Sequence, residues 1–234
     1  MKRLIPLVIS FLIACFCATA WAEKPKDEGT TAAELAKLSL PTPANTKVLI
    51  IPPWDYTSEV THQRVATAAI YQYFEHQGFA VEPILTGFTK LAADKEIEPG
   101  LPLRKSDAVR IGKAAGAAWA VYGEVKELRV YEKSKLFGSG KKIICSLRLA
   151  VADCETGEVV FWKARSDTLG DTGFDSVFSR RKSTKLIRVG LQAVSERIFA
   201  DLFAALPKHD LKGPQPDDAS LLELEKSVWP EGGD

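Results

Sequence analysis

Apolar runs and polar breaks along the chain follow the order strand, helix, strand, helix, three strands, helix. Lys47-Val48-Leu49-Ile50-Ile51 is a continuous apolar run stopped by Pro52-Pro53. Such a run predicts a strand buried on both faces, and the prolines end its ladder. Val65, Ala68, Ala69, Tyr73 and Phe74 recur at helical spacing and predict a helix over 59–77, stopped at Gly78. Phe79 to Leu85 reads as an edge strand because Pro83 interrupts it. Residues 86–104 read as a loop. Ser106 caps a predicted helix over 107–115 that ends at Gly116.

Residues 118–132, 143–153 and 158–165 then predict three strands in sequence. Phe137-Gly138-Ser139-Gly140 marks a hairpin tip within 133–142, and Glu155-Thr156-Gly157 a tight turn. In the middle strand Ile143, Cys145, Leu147, Leu149 and Val151 share one face. Ile144, Ser146, Arg148 and Ala150 share the other. This period of two means that one face is buried more fully. Residues 186–206 predict a long helix with Val189, Ala193, Ile198, Leu202 and Phe203 inward, closed by Pro207.

The predicted fold class is α/β. A mixed sheet of about five strands, with an antiparallel three-strand meander, is covered by about three helices. The domain spans 46–207. Residues 23–45 are expected to be a flexible linker with a short helix at 32–38. Residues 208–234 are expected to be a polar tail with a small amphipathic helix over 218–228, using Leu221, Leu222 and Val228.

The first 22 residues change the functional picture. Lys2 and Arg3 precede an apolar stretch from Leu4 to Ala20, and Ala20-Trp21-Ala22 has the small residues of a cleavage site before Glu23. This is the layout of a secretory signal peptide. Two further readings fit the same residues. Leu12-Ile13-Ala14-Cys15 has the form of a lipobox, with Cys15 acylated and membrane contact made through it. Residues 4–22 also approach the ~20 that cross a bilayer, as an uncleaved anchor would.

Composition adds limits. Thirty-one basic residues balance 30 acidic ones, so there is no electrostatic footprint for nucleic acid. Of four cysteines, Cys15 and Cys17 lie in the leader. Cys145 stands on the predicted strand 143–153 and Cys154 just past its end, and nine residues of strand span roughly 30 Å. A disulfide needs Cα atoms within about 7 Å. Cys145 therefore reads as a small buried residue and Cys154 as a residue near a turn, with an intermolecular bridge as its alternative.

Three segments carry a family resemblance. They are Val48-Leu49-Ile50-Ile51-Pro52-Pro53 with Gly78-Phe79-Ala80-Val81, the run from Ala114 to Val125, and the run from Leu147 to Trp162. Together they resemble the α/β domain of the TolB amino-terminal region. That domain also occurs in the CsgG-type curli-secretion lipoprotein and in outer-membrane lipoproteins that activate penicillin-binding proteins. The resemblance covers residues 46–206. It implies an envelope-associated interaction or assembly protein rather than an enzyme.

Candidate sites are sparse. Trp54-Asp55-Tyr56 follows the first strand, where open α/β sheets often bind ligands, and is the candidate interaction loop. His62 and His76 stand too far apart on one helix to share a metal, and His209 lies in the tail. Asp167, Asp171 and Asp175 form an acidic run without the EF-hand pattern, read as a solvated loop. Arg180-Arg181-Lys182 is a basic trio suited to lipid headgroups or an acidic partner. Ser179 and Ser183 lack a base, and Lys113 beside Gly112 lacks a phosphate loop. No catalytic, cofactor-binding or metal residue is assigned.

The expected function is an exported, non-enzymatic binding or scaffold module of a bacterial envelope. Its partners would be envelope proteins. The alternative is a subunit of an oligomeric secretion or surface-assembly machine, held as an outer-membrane lipoprotein. A secreted hydrolase would need Asp55, His62 and a serine gathered around one pocket.

Overall fold

The structure, a computed structural model, describes residues 28–57, 59–98, 100–135, 138–170 and 181–230. Cys15, Ala22, Glu23, Phe137, Asp171, Asp175, Ser179 and Arg180 lie outside them, as do the side chains of Arg181, Lys182 and Ser183. The described residues form seven strands in one mixed sheet and six α-helices, more of each than the pattern predicts.

In chain order these are β1 (Glu28–Gly29), α1 (Ala32–Leu35), β2 (Lys47–Ile50), β3 (Trp54–Asp55), α2 (Val60–His76), β4 (Ala80–Val81) and α3 (Ile84–Ala93). They continue with α4 (Lys105–Ala114), β5 (Trp119–Lys135), β6 (Gly138–Asp153), β7 (Val159–Gly170), α5 (Arg181–Ala205) and α6 (Asp218–Val228). The sheet order is β1-β7-β6-β5-β2-β4, with β3 also beside β5. β2 pairs parallel with β4 and β5. β5, β6 and β7 form the expected antiparallel meander.

Burial explains the layers. Val48, Ile50, Val121, Val125, Ile143, Cys145, Leu147, Leu149 and Val151 project to one face and are sealed by α2, α5 and α6. Phe74 of α2 meets Phe199 and Phe203 of α5 at ring-centroid distances of 5.0 and 5.2 Å, both edge-on. This geometry suits the aromatic quadrupole. On the other face Leu49, Ile51 and Ala120 pack against Ala108 and Ile111 of α4. On that face α3 lies over β2, and α4 lies over β5 and β6.

Several expectations are corrected. Residues 28–45 are not a free linker: β1 pairs with β7, Thr31 caps α1, and Leu35 is fully buried. The stretch 79–85 is strand only at Ala80–Val81, and 84–93 is helix rather than loop. Ile84, Phe88 and Leu91 do have helical spacing, but Gly87 and Pro83 disguise it. Gly87 is needed because the α3 backbone lies directly on the Ile50 carbonyl, which an added methyl would overlap. α4 starts before Ser106, and Asp107 accepts from the Arg104 N–H at its start. The hairpin arms run on to Lys135 and from Gly138, so Gly138 and Gly140 are strand residues.

On α5, Val189 is 37 % exposed, and Arg188, Leu191, Val194 and Phe199 turn inward in its place. Asp167 is no loop residue. It is a buried member of β7 that accepts from Arg165 Nε at 2.9 Å and Arg197 Nη1 at 3.0 Å. Both cysteines are free thiols and buried. The Cys154 sulfur packs on Gly112 of α4, which leaves it no outward approach for a bridge. The predicted 218–228 helix is present as α6, with Leu221 buried in the core.

Candidate interaction face

The Trp54-Asp55-Tyr56 loop is split by strand alternation. β3 lies beside β5, with Trp54 opposite Glu124 and Asp55 opposite Val125. Successive side chains of a strand point to opposite faces. Asp55 therefore turns toward α2, while Trp54 and Tyr56 turn toward the α4 side. Trp54 lines a cavity of about 270 Å³ with Pro52, Gln63, Leu91 and Leu103. Tyr56 is 53 % exposed. Partial burial, and then the nearby Glu124 carboxylate, push its hydroxyl above its ordinary value.

Asp55 and His62 do come together, with Thr57 between them. Both Asp55 oxygens lie within 2.8 Å of the Thr57 hydroxyl, and the Thr57 amide donates to Oδ1 at 2.7 Å. His62 Nδ1 is 2.7 Å from the same hydroxyl, and Nε2 is 3.6 Å from Glu59. Burial pushes the Asp55 carboxyl up, but hydrogen bonds from His62 and Thr57 outweigh it and hold the group below its ordinary value. A carboxylate can only accept. Thr57 therefore donates to Asp55 and accepts from His62 Nδ1–H. The imidazole is thus a donor here, whereas activating a hydroxyl nucleophile requires an acceptor. No residue of this trio lines the cavities on either side of the loop. Its geometric effect is to fasten the loop to the first turn of α2, where Glu59 provides no side-chain cap.

The other histidines act as braces. His76 Nδ1 faces the Lys212 carbonyl at 3.0 Å, and His209 Nε2 faces Gln77 at 3.1 Å. Among the described residues no group of three or more His, Cys, Asp or Glu could hold a metal ion, and no helix is long and apolar enough to cross a membrane.

Residues not singled out from the sequence make the more developed surface. β5, β6 and β7 present Tyr122, Glu124, Arg148, Ala150 and Trp162 beside the start of α4, and Leu103 and Lys105 form the rim. The groove they enclose measures about 450 Å³. Gly123 keeps its floor flat, because an added methyl would overlap the Arg148 carbonyl. Arg148 is the register partner of Glu124, yet its guanidinium lies over Trp162, 5.3 Å from the ring centroid. Among the described residues no carboxylate lies within ion-pair distance of Arg148. The period of two places Arg148 on the outward face. Bringing Tyr122 and Trp162 beside it requires the register of three strands, which no single segment carries.

No family model and no curated protein matches the chain. Solved structures with partial likeness include the PelC dodecamer of Paraburkholderia phytofirmans, 14 % identical over 79 % of this chain and 99 % of that one, with a TM-score of 0.41. Lipoprotein GNA1162 of Neisseria meningitidis is 16 % identical over 66 % and 99 %, with a TM-score of 0.44. The LpoB C-terminal domain of Escherichia coli is 14 % identical over 59 % and 93 %, with a TM-score of 0.35.

Proposed function

We propose that the chain is an exported, non-enzymatic binding or scaffold module of a bacterial cell envelope, of the TolB amino-terminal and CsgG type. Export is supported by the leader pattern of residues 1–22, with Ala22 and Glu23 at the cut or Cys15 as the lipid-bearing first residue. One observation carries the binding role. Beside α4, the second face of β5, β6 and β7 holds aromatic and charged side chains around an open groove. A photo-crosslinking side chain placed at Tyr56 or Tyr122 in cells is expected to capture an envelope protein. Turnover of a small substrate with no captured partner would overturn the proposal. Intact mass of the mature protein separates a start at Glu23 from an acylated Cys15.

A second reading, a subunit of an oligomeric assembly machine, is favoured by the β7 edge. β1 pairs only with Lys163 and Ala164, and residues 166–170 have no described partner strand on that side. Such an edge accepts an added strand. Light scattering that shows a monomer at every concentration would reject it.

A further inference from the structure

The groove's chemistry specifies a kind of partner. Arg148 is outward-facing, unpaired among the described carboxylates, and lies over the Trp162 ring. The ring quadrupole attracts the cation, and guanidinium N–H groups not turned to the ring can meet a carboxylate in a two-point contact. Lys105 adds a second cation at the α4 rim, and its described ion-pair partner is the exposed Glu158 at 3.8 Å. Between the two cations the floor is formed by Tyr122, Ala150 and Trp162. The volume lies within the range of small-ligand sites.

The groove sets one cation that has no described carboxylate partner beside an aromatic and apolar floor. One acid can therefore meet the guanidinium while a neighbouring apolar side chain lies on the rings.

We infer that this groove takes an acidic segment of a partner polypeptide, with a Glu or Asp side chain on Arg148 and a neighbouring apolar side chain on Trp162 and Tyr122. The inference rests on the proposed interaction face and gives it a ligand chemistry. Glu124 lies at the level of Arg148 on the adjacent strand. It disfavours a second acid there, so the groove selects an isolated acid within an apolar context over an acidic run.

Blocked mixed-sequence pentapeptides with Glu, Gln or Lys at the centre test this, titrated into the isotope-labelled mature protein. The Glu pool is expected to shift the Trp162 indole and Gly123 amide signals, with at least tenfold tighter binding than the Gln pool. Added salt should narrow that gap. Arg148→Gln should make the Glu and Gln pools equal, and Arg148→Lys should keep part of the difference. Far-UV circular dichroism confirms that the variants fold. If Arg148→Gln does not fold, the Lys variant and the salt series decide. Equal binding of the two pools by the native protein, no shift at Trp162, or a preference surviving in Arg148→Gln would each overturn the inference. So would oligogalacturonate shifting these signals where the Glu pool does not. A partner captured at Tyr56 or Tyr122 without any Glu preference overturns this inference alone and leaves the binding role standing.

Discussion

Thr57 Oγ1 and His62 Nδ1 are 2.7 Å apart, and the same hydroxyl reaches both oxygens of Asp55. This triangle fastens the turn after β3 to the start of α2. Its carboxyl is held below its ordinary value of 3.8. The stability it contributes is therefore fully present above the unfolded carboxyl's pKa. It is lost as pH falls through the lower folded value. Asp55→Asn is expected to cost about 1–3 kcal/mol at neutral pH, as for a hydrogen-bonded charged group. The gap from the native protein should begin to narrow near pH 4, where the unfolded carboxyl protonates, and close as pH falls through the lower folded value. Urea midpoints measured from pH 3 to 7 check this, and a constant gap would contradict it.

Gly87→Ala sets two effects against each other. Alanine favours a helix interior over glycine by about 1 kcal/mol. The new methyl would overlap the Ile50 carbonyl, which is backbone in a central strand and has little room to move. Overpacking typically costs about 1–3 kcal/mol, so a net loss is expected. A raised urea midpoint would show that α3 does not seat on β2.

How far the sequence reveals the structure depends on how local each signal is. β2 is legible because four consecutive apolar residues, Val48 to Ile51, meet two prolines. The β6 alternation is legible because Ile143 to Val151 strictly repeats with period two. The short helix at 32–38 is legible and appears as α1, but β1 escapes notice because two residues carry no periodic signal, and the docking of this segment rests on Leu35 alone being sunk in the core. Asp167 looks like loop chemistry among neighbouring acids, but only tertiary structure supplies Arg197. The groove is harder still, since its lining is divided among three strands and the start of α4.

At the α5–α6 contact, Arg188 is 7 % exposed, with Nη1 3.4 Å from Asp218 and Nε 3.5 Å from Glu225. Burial raises the Glu225 carboxyl above its ordinary value, although Arg188 opposes this. A raised carboxyl stabilises fully below its unfolded pKa and loses that contribution as pH rises through the folded value. Glu225→Gln is therefore expected to stabilise the protein at neutral pH, with the gain vanishing below pH 4. Arg188→Ala should cost about 1–3 kcal/mol, because Asp218 and Glu225 are left side by side without their shared cation. Hydrogen exchange should quicken in α6 before β5 and β6. Uniform quickening would contradict the clasp.

Both thiols should resist alkylation. Burial is the main reason that the Cys145 thiol is pushed up to about 12 and the Cys154 thiol up to about 11. The thiolate is the reactive form, and neither sulfur is accessible. Iodoacetamide at pH 8 is expected to label both sites only as fast as the fold opens, followed by mass spectrometry. Rapid labelling of Cys154 in the folded protein would contradict its packing on Gly112.

Thr30 grips the backbone of Trp162 twice. Its amide donates to the Trp162 carbonyl at 2.8 Å, and its hydroxyl accepts from the Trp162 amide at 3.0 Å. β1 directly precedes this contact. A pull on the chain ahead of Glu28 would therefore be transmitted into the strand that supports the groove floor, with few bonds between the point of tension and the indole. If the leader side of the chain is held at a membrane, mechanical load and the proposed partner contact meet at one tryptophan.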